Sequence, residues 1–259
     1  MDAVSFCGRP VPIYRPSQKV RNPGALEYVR CALLARALRE QGRNGESSQQ
    51  WAAAVAAAGG QPGSMAALAR LVADWGWQDE FENLLREVMK TPKELEWAGH
   101  VLLNRFAQKR DTRGLLEVTG RILNANPTND AALNNFAMFS LLLGQEIPRA
   151  CEIARKLYEA HPREAKYVST YAFSLYVLSH PEENPPLMRT LAPVQEAVRI
   201  MRTLAPDQLE TPDGAAYYGI FLAATGEREE AARYLDLAKR AAFLPEEEEL
   251  IRQARRKLE

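Results

Sequence analysis

Along most of the chain, apolar residues recur at spacings of three, four and one, which is the pattern of a single α-helical face. The runs break at turn-like positions. Gly42 and Gly76 are 34 residues apart, and Gly144 follows 68 later, with Arg110-Asp111 as a polar turn at the midpoint. Another step leads to Ser179, and a further glycine turn stands at Gly226. Each turn is preceded by the same signature. Seven residues before it stands Ala35, Ala69, Ala137, Ala172 or Gly219, with Leu103 as the exception. Eight before it stands Leu34, Leu68, Leu102, Phe136, Tyr171 or Tyr218. Four before it come Leu38, Val72, Phe106, Leu175 and Leu222, with Ser140 as the exception. A small residue inside an apolar face marks where a neighbouring helix approaches closely.

A second amphipathic run follows each turn, and prolines recur after it at Pro92, Pro127, Pro162 and Pro206. Proline cannot continue a helix, so these are read as stops. The pattern predicts helix pairs at 25–41 and 46–58, 64–75 and 79–90, 93–109 and 112–125. It continues with 129–143 and 147–160, 164–179 and 193–204, 213–225 and 228–243. A last helix at 246–258 carries acids first and bases last, matching the helix dipole. Its Leu250, Ile251, Ala254 and Leu258 share a face, as expected of a cap on the end of a stack.

The repetition of helix, turn, helix and proline at a period of 34 resembles the tetratricopeptide repeat. The clearest units are Ala131–Pro162, with LNNFAMFSLLLG, and Gly214–Pro245. The resemblance implies an all-α fold: a right-handed superhelical solenoid of about six helix pairs plus a C-terminal capping helix, spanning 25–259. Residues 1–24 read as a basic, proline-rich arm. An irregular insertion falls near 180–206, where the turn spacing from Ser179 to Gly226 is 47 and LMRTLAP recurs as IMRTLAP.

In such a solenoid the first helix of each pair lines a concave groove. Positions opposite the core face are Arg36, Arg70 and Asn104, followed by Met138, Phe173 and Ile220. His100, Asn134 and Ser169 fall beside them, as do Asn135, Thr170 and Tyr217, and Arg39 and Tyr176. The expected groove is basic and polar at one end and more apolar at the other. Arg and Asn there would hold the backbone and carboxylates of an extended peptide, and Tyr would anchor it. The partner class implied is a protein or extended peptide.

Charge changes this picture little. Lys plus Arg and Asp plus Glu are each 33. Residues 1–60 hold eight basic and four acidic side chains, an excess compatible with an acidic partner or an anionic membrane surface. Cys7, Cys31 and Cys151 show neither metal spacing nor a disulfide framework, so reduced thiols and a cytoplasmic setting are expected. No stretch is long and apolar enough to suggest a membrane span. Catalytic and metal-binding constellations are not legible, so no cofactor and no enzymatic activity are expected. His161 and His180 precede prolines in turns and read as solvated, and the four tryptophans read as core.

The stretch LNNFA at Leu133–Ala137 is also similar to the repeat units of kinesin light chains, including bacterial ones. That resemblance implies an alternative role, a tether joining a tubulin-like cytoskeletal filament to membrane. The basic arm would touch anionic lipid, placing the protein at the membrane periphery. Nucleic acid is disfavoured, because single-strand-reading helical repeats carry a stronger basic stripe.

Overall fold

The computed structural model describes residues 26–61, 63–179 and 192–259. The N-terminal arm, Cys7, His180 and the first part of the 180–206 insertion, with Asn184–Pro186, lie outside the described residues. Among the described residues there are fourteen helices and no strand. In order they are α1 (Glu27–Glu40), α2 (Asn44–Gly59), α3 (Ser64–Val72), α4 (Gln78–Val88), α5 (Leu95–Lys109) and α6 (Thr112–Ala125). There follow α7 (Asp130–Leu142), α8 (Ile147–Ala160), α9 (Ala165–Ser179), α10 (Ala192–Met201) and α11 (Pro206–Leu209). The last three are α12 (Pro212–Thr225), α13 (Arg228–Ala238) and α14 (Pro245–Arg256). No described helix is long and apolar enough to cross a membrane.

Consecutive helices pack as hairpins: α1 on α2, α3 on α4, α7 on α8, α9 on α10 and α12 on α13. The turns repeat one backbone solution, the first four of them at the spacing of 34 read from the sequence. Gly42, Gly76, Arg110, Gly144 and Gly226 all have positive φ, from 56° to 86°. Left-handed backbone after a helix lets the chain reverse while satisfying its last carbonyls. Thus Arg43 N–H donates to Leu38 O (2.9 Å), Asp111 N–H to Phe106 O (2.8 Å) and Glu227 N–H to Leu222 O (2.9 Å). Arg110 takes this conformation with a side chain attached, at a cost of roughly 1–2 kcal/mol.

The small positions serve the close approaches they predict. Ala35, Ala69, Ala137 and Ala172 are fully buried. A Cβ on Gly219 would lie 2.8 Å from Leu235 Cγ, so only glycine lets α12 and α13 meet there. One large position departs from its equivalents. Leu68 and Leu102 are fully buried, whereas Leu34 is 38% exposed. Its face would pack on a preceding helix pair, and among the described residues no helix precedes α1.

Ser47, inside α2, ties that helix to α1, its hydroxyl donating to Ala35 O (2.7 Å). One smaller expectation needs correction. Pro206, read as a stop, opens α11, a short helix not foreseen. It occupies part of the extra length before α12.

The chain divides into two compact units, with the boundary inside α5: the described residues to Val101, and Leu102–Glu259. The second has an aromatic core, where Phe173, Tyr176, Tyr217 and Phe221 lie with ring centroids 5.2–6.3 Å apart. Here α14 does more than cover an end. Leu250, Ile251 and Leu258 pack on this core and Ala254 is buried in it, as the cap reading requires. Its acidic start, however, reaches back to the beginning of α6. Thr112 Oγ1 donates to Glu246 Oε2 (2.5 Å), Arg110 Nη2 pairs with Glu248 Oε1 (2.6 Å), and Arg110 Nε donates to Phe243 O (2.6 Å). The start of this last helix also borders the inner side of the unit, where Glu247 joins Asn134, Ser169, Thr170 and Tyr217 around one cavity.

Candidate binding site

In the first unit, the arginines expected to receive a partner are already engaged. Arg39 stacks 3.7 Å from the Trp77 ring centroid and pairs with Glu80 (2.5 Å). Arg70 lies 4.2 Å over Trp97 and pairs with Glu94 (2.6 Å). Arg36 lies 5.1 Å over Trp75 and pairs with Glu40 (2.9 Å). Trp51 and Trp75 in turn meet Trp77 edge-on, at 5.4 and 5.3 Å. The tryptophans, read as core, are thus also a shelf for guanidinium groups, and of the four only Trp77 is buried. Cation–π contact and a carboxylate satisfy each arginine from within the protein. These arginines are ordered surface rather than free anion receptors. His100 is exposed on α5.

In the second unit, four of the expected residues come together. Asn134, Ser169, Thr170 and Tyr217 line one cavity of about 320 Å³. Its wall is completed by residues on α9, α11, α12 and α14, among them Lys166, Gln208, Asp213 and Glu247. Asn104 and Asn135 are exposed and outside it, and Ser169 is half-buried. Tyr176 also lies outside it. Its ring is buried in the aromatic core, and burial pushes its phenol up to about 12. Thr170 and Tyr217 are buried as well and touch the cavity only as parts of its wall.

The wall is built by ordinary local rules. Thr211 caps α12, accepting from Gly214 N–H (3.2 Å), with Pro212 in the first turn. That turn is tight, because a Cβ on Gly214 would come 2.5 Å from Gln208 O. Thr170 Oγ1 turns back to Lys166 O (2.8 Å), and Ser169 Oγ donates to the same carbonyl (3.2 Å). The hydroxyl of Tyr217 donates to Glu247 Oε1 (2.5 Å) and lies 3.4 Å from Met138 Sδ. Leu244 N–H donates to Glu247 Oε2 (2.9 Å).

Two features of this wall are unusual. Asn134 is only 8% exposed, yet its Oδ1 is buried without a hydrogen-bond partner. Most buried polar atoms are paired, and leaving one unpaired costs about 1–3 kcal/mol. The second is Glu247, which forms no ion pair among the described residues. Burial raises its carboxyl above the usual range; the Tyr217 and Leu244 donors oppose the rise, and the nearby Asp213 and Glu246 charges add to it. Burial also drives the Tyr217 phenol well above its ordinary range, with the Glu247 charge beside it.

Glu247 was read from the sequence only as part of a helix start. Its position at N3 of α14 signals capping, which the bond to Leu244 N–H fulfils, but nothing local announces Tyr217. His161, read as a solvated turn residue, keeps 40% of its side-chain exposure just past α8, and also meets Asp130 Oδ2 at 3.0 Å and the Tyr167 ring at 5.2 Å. Among the described residues no cluster of His, Cys, Asp and Glu is arranged to hold a metal.

The class this architecture defines is an α-helical repeat protein built of tetratricopeptide-like helix pairs. Among solved structures, the chain is similar to the crystal structure of a tetratricopeptide repeat protein from Parabacteroides merdae ATCC 43184. The identity is 17%, the match covers 91% of this chain and 86% of that one, and the TM-score is 0.46. No family profile matches the sequence, and neither does any curated protein. The fold assignment rests on the helix pairing and turn geometry themselves. The resemblance of Leu133–Ala137 to kinesin light chains gains no support from these comparisons.

Proposed function

We propose that the chain is a non-catalytic interaction scaffold that holds a segment of another protein, or an extended peptide, on its helix pairs. The observation that carries this reading is the convergence of Asn134, Ser169, Thr170 and Tyr217 on one cavity. These residues are contributed by different helix pairs and come from positions that share one face of the repeat. At about 320 Å³ the cavity lies near the lower end of the roughly 300–1,000 Å³ typical of ligand sites. It suits one side chain of a partner rather than a folded surface, with the rest of the segment held outside it.

Selection of displayed random peptides on the purified chain tests the reading, followed by hydrogen exchange with the selected peptide bound. Enriched peptides of micromolar affinity, about −8 kcal/mol, that protect α7, α9, α12 and α14 are expected. Failure to enrich any sequence over an unrelated helical protein would overturn it.

A further inference from the structure

We propose that the cavity walled by α7, α9, α11, α12 and α14 receives a guanidinium or ammonium group carried on a partner peptide, using Glu247, Asp213 and Asn134 as acceptors. The inference rests on the scaffold reading and names the chemistry that the site selects.

Hydrogen-bond capacity in the wall is unevenly spent. The hydroxyl donors of the wall are committed within the protein. Tyr217 donates to Glu247, Thr170 and Ser169 to Lys166 O, and Thr211 to Gln208 O (2.8 Å). The acceptors are not exhausted. Asn134 Oδ1 has no donor at all. Glu247 receives one donor on each oxygen, and a carboxylate oxygen can take two. Asp213, exposed in the first turn of α12, has a free carboxylate among the described residues.

Charge points the same way. The ionisable carboxylates and amine of the wall are Asp213, Glu247 and Lys166, and the two acids outnumber the one base. The Lys166 amine is exposed and lies 4.7 Å over the Tyr167 ring, so it does not neutralise Glu247. An entering carboxylate or phosphate would meet two acids against a single lysine amine. An entering cation would supply the missing donor to Asn134 and the missing counter-charge to Glu247 at once. Planar guanidinium has the most donors to offer to separated acceptors.

The probe is acetyl-Gly-Gly-Arg-Gly-Gly-amide, titrated into the full chain by heteronuclear NMR. Matched peptides carry citrulline, a neutral near-isostere, or glutamate in place of arginine, and agmatine represents a free small-molecule source of the same group. The arginine peptide should saturably shift Gly214, Tyr217 and the Asn134 side-chain amide. Glu247→Gln keeps the acceptor for Tyr217 and removes the charge, and it should weaken binding at least tenfold. Asp213→Asn, at an exposed site, should weaken it severalfold and serves if the first variant fails to fold. Citrulline or glutamate peptides that bind as well as arginine would overturn the proposal, as would shifts confined to other residues. Agmatine binding more tightly than the peptide would assign the site to a free amine and remove the peptide from the proposal. If the arginine peptide fails while selected peptides still protect these helices, the cation proposal falls and the scaffold reading stands. If both fail, both fall.

Discussion

Arg36, Arg39 and Arg70 in one unit, and Asn134, Ser169, Thr170 and Tyr217 in the other, come from the same face of the same repeat. Their fates differ. Each arginine is held by a tryptophan ring on one side and a carboxylate on the other, so its charge is matched inside the protein. The second set surrounds a cavity in which one acceptor has no donor and one buried carboxylate has no counter-ion. Long, flexible cations find their own partners along a helical surface. Short polar groups fixed in a closed wall cannot reach one. A repeat position therefore indicates where a side chain points, while its neighbours determine whether any capacity is left for a partner.

The largest expected effect tests the repeat frame itself. Leu68 and Leu34 occupy the same repeat position, one fully buried and one 38% exposed. Leu68→Ala should cost about 2–5 kcal/mol in urea denaturation, and Leu34→Ala less than about 1 kcal/mol. Equal losses would mean that the exposed face of α1 is covered in solution.

Next comes Tyr217→Phe, which removes a hydrogen bond to a carboxylate and leaves Glu247 with one donor fewer. A loss of about 1.5–3 kcal/mol is expected, along with altered hydrogen exchange in α14. An unchanged stability would mean that α14 is held by Arg110 and its core contacts alone.

On the arginine side, Arg39→Ala should cost about 1–2 kcal/mol and red-shift the tryptophan emission, since it uncovers Trp77. Arg36→Ala, at an exposed pair, should cost no more than about 1 kcal/mol. Neither should change binding of the arginine peptide, and if either did, the two surfaces would not be the separate devices described above.

Asn134→Leu should behave in the opposite sense to a core mutation. It removes an unpaired buried acceptor, so stability should hold or rise by up to about 1 kcal/mol while peptide binding is lost. A marked loss of stability would show that the amide is satisfied in solution.

The smallest effect is in the pH dependence. Glu247 has a folded pKa above its ordinary value of 4.5, so the folded state binds more protons than the unfolded state over the window just above that value. Stability contributed by this group should fall as pH rises from the unfolded to the folded pKa. Glu247→Gln should flatten that decline, as read by thermal melts across the acid range.

Much of the frame was legible in the residues. Four of the five left-handed turns were marked by three glycines and one Arg-Asp pair at a spacing of 34, and the fifth by Gly226, because a sharp reversal after a helix requires that backbone. The close approaches were marked by alanines and Gly219, because only small side chains let two helices touch. Of the positions named from the sequence, Asn134, Ser169, Thr170 and Tyr217 line one cavity, whereas the Tyr176 ring lies in the cluster of Phe173 and Phe221.

The sequence by itself determined the periodic part of this protein: helix lengths, turn positions and the small contacts between partners. These follow from backbone geometry and local apolar spacing, which act within one or two turns of helix. Only the tertiary structure decided which polar groups remain unmatched. The pairs Arg39–Glu80, Arg110–Glu248 and Tyr217–Glu247 join residues 30 to 138 positions apart. No local pattern encodes such a meeting, because it depends on how successive helix pairs stack and where the last helix folds back. The cavity and its acceptor-rich wall arise from that closure.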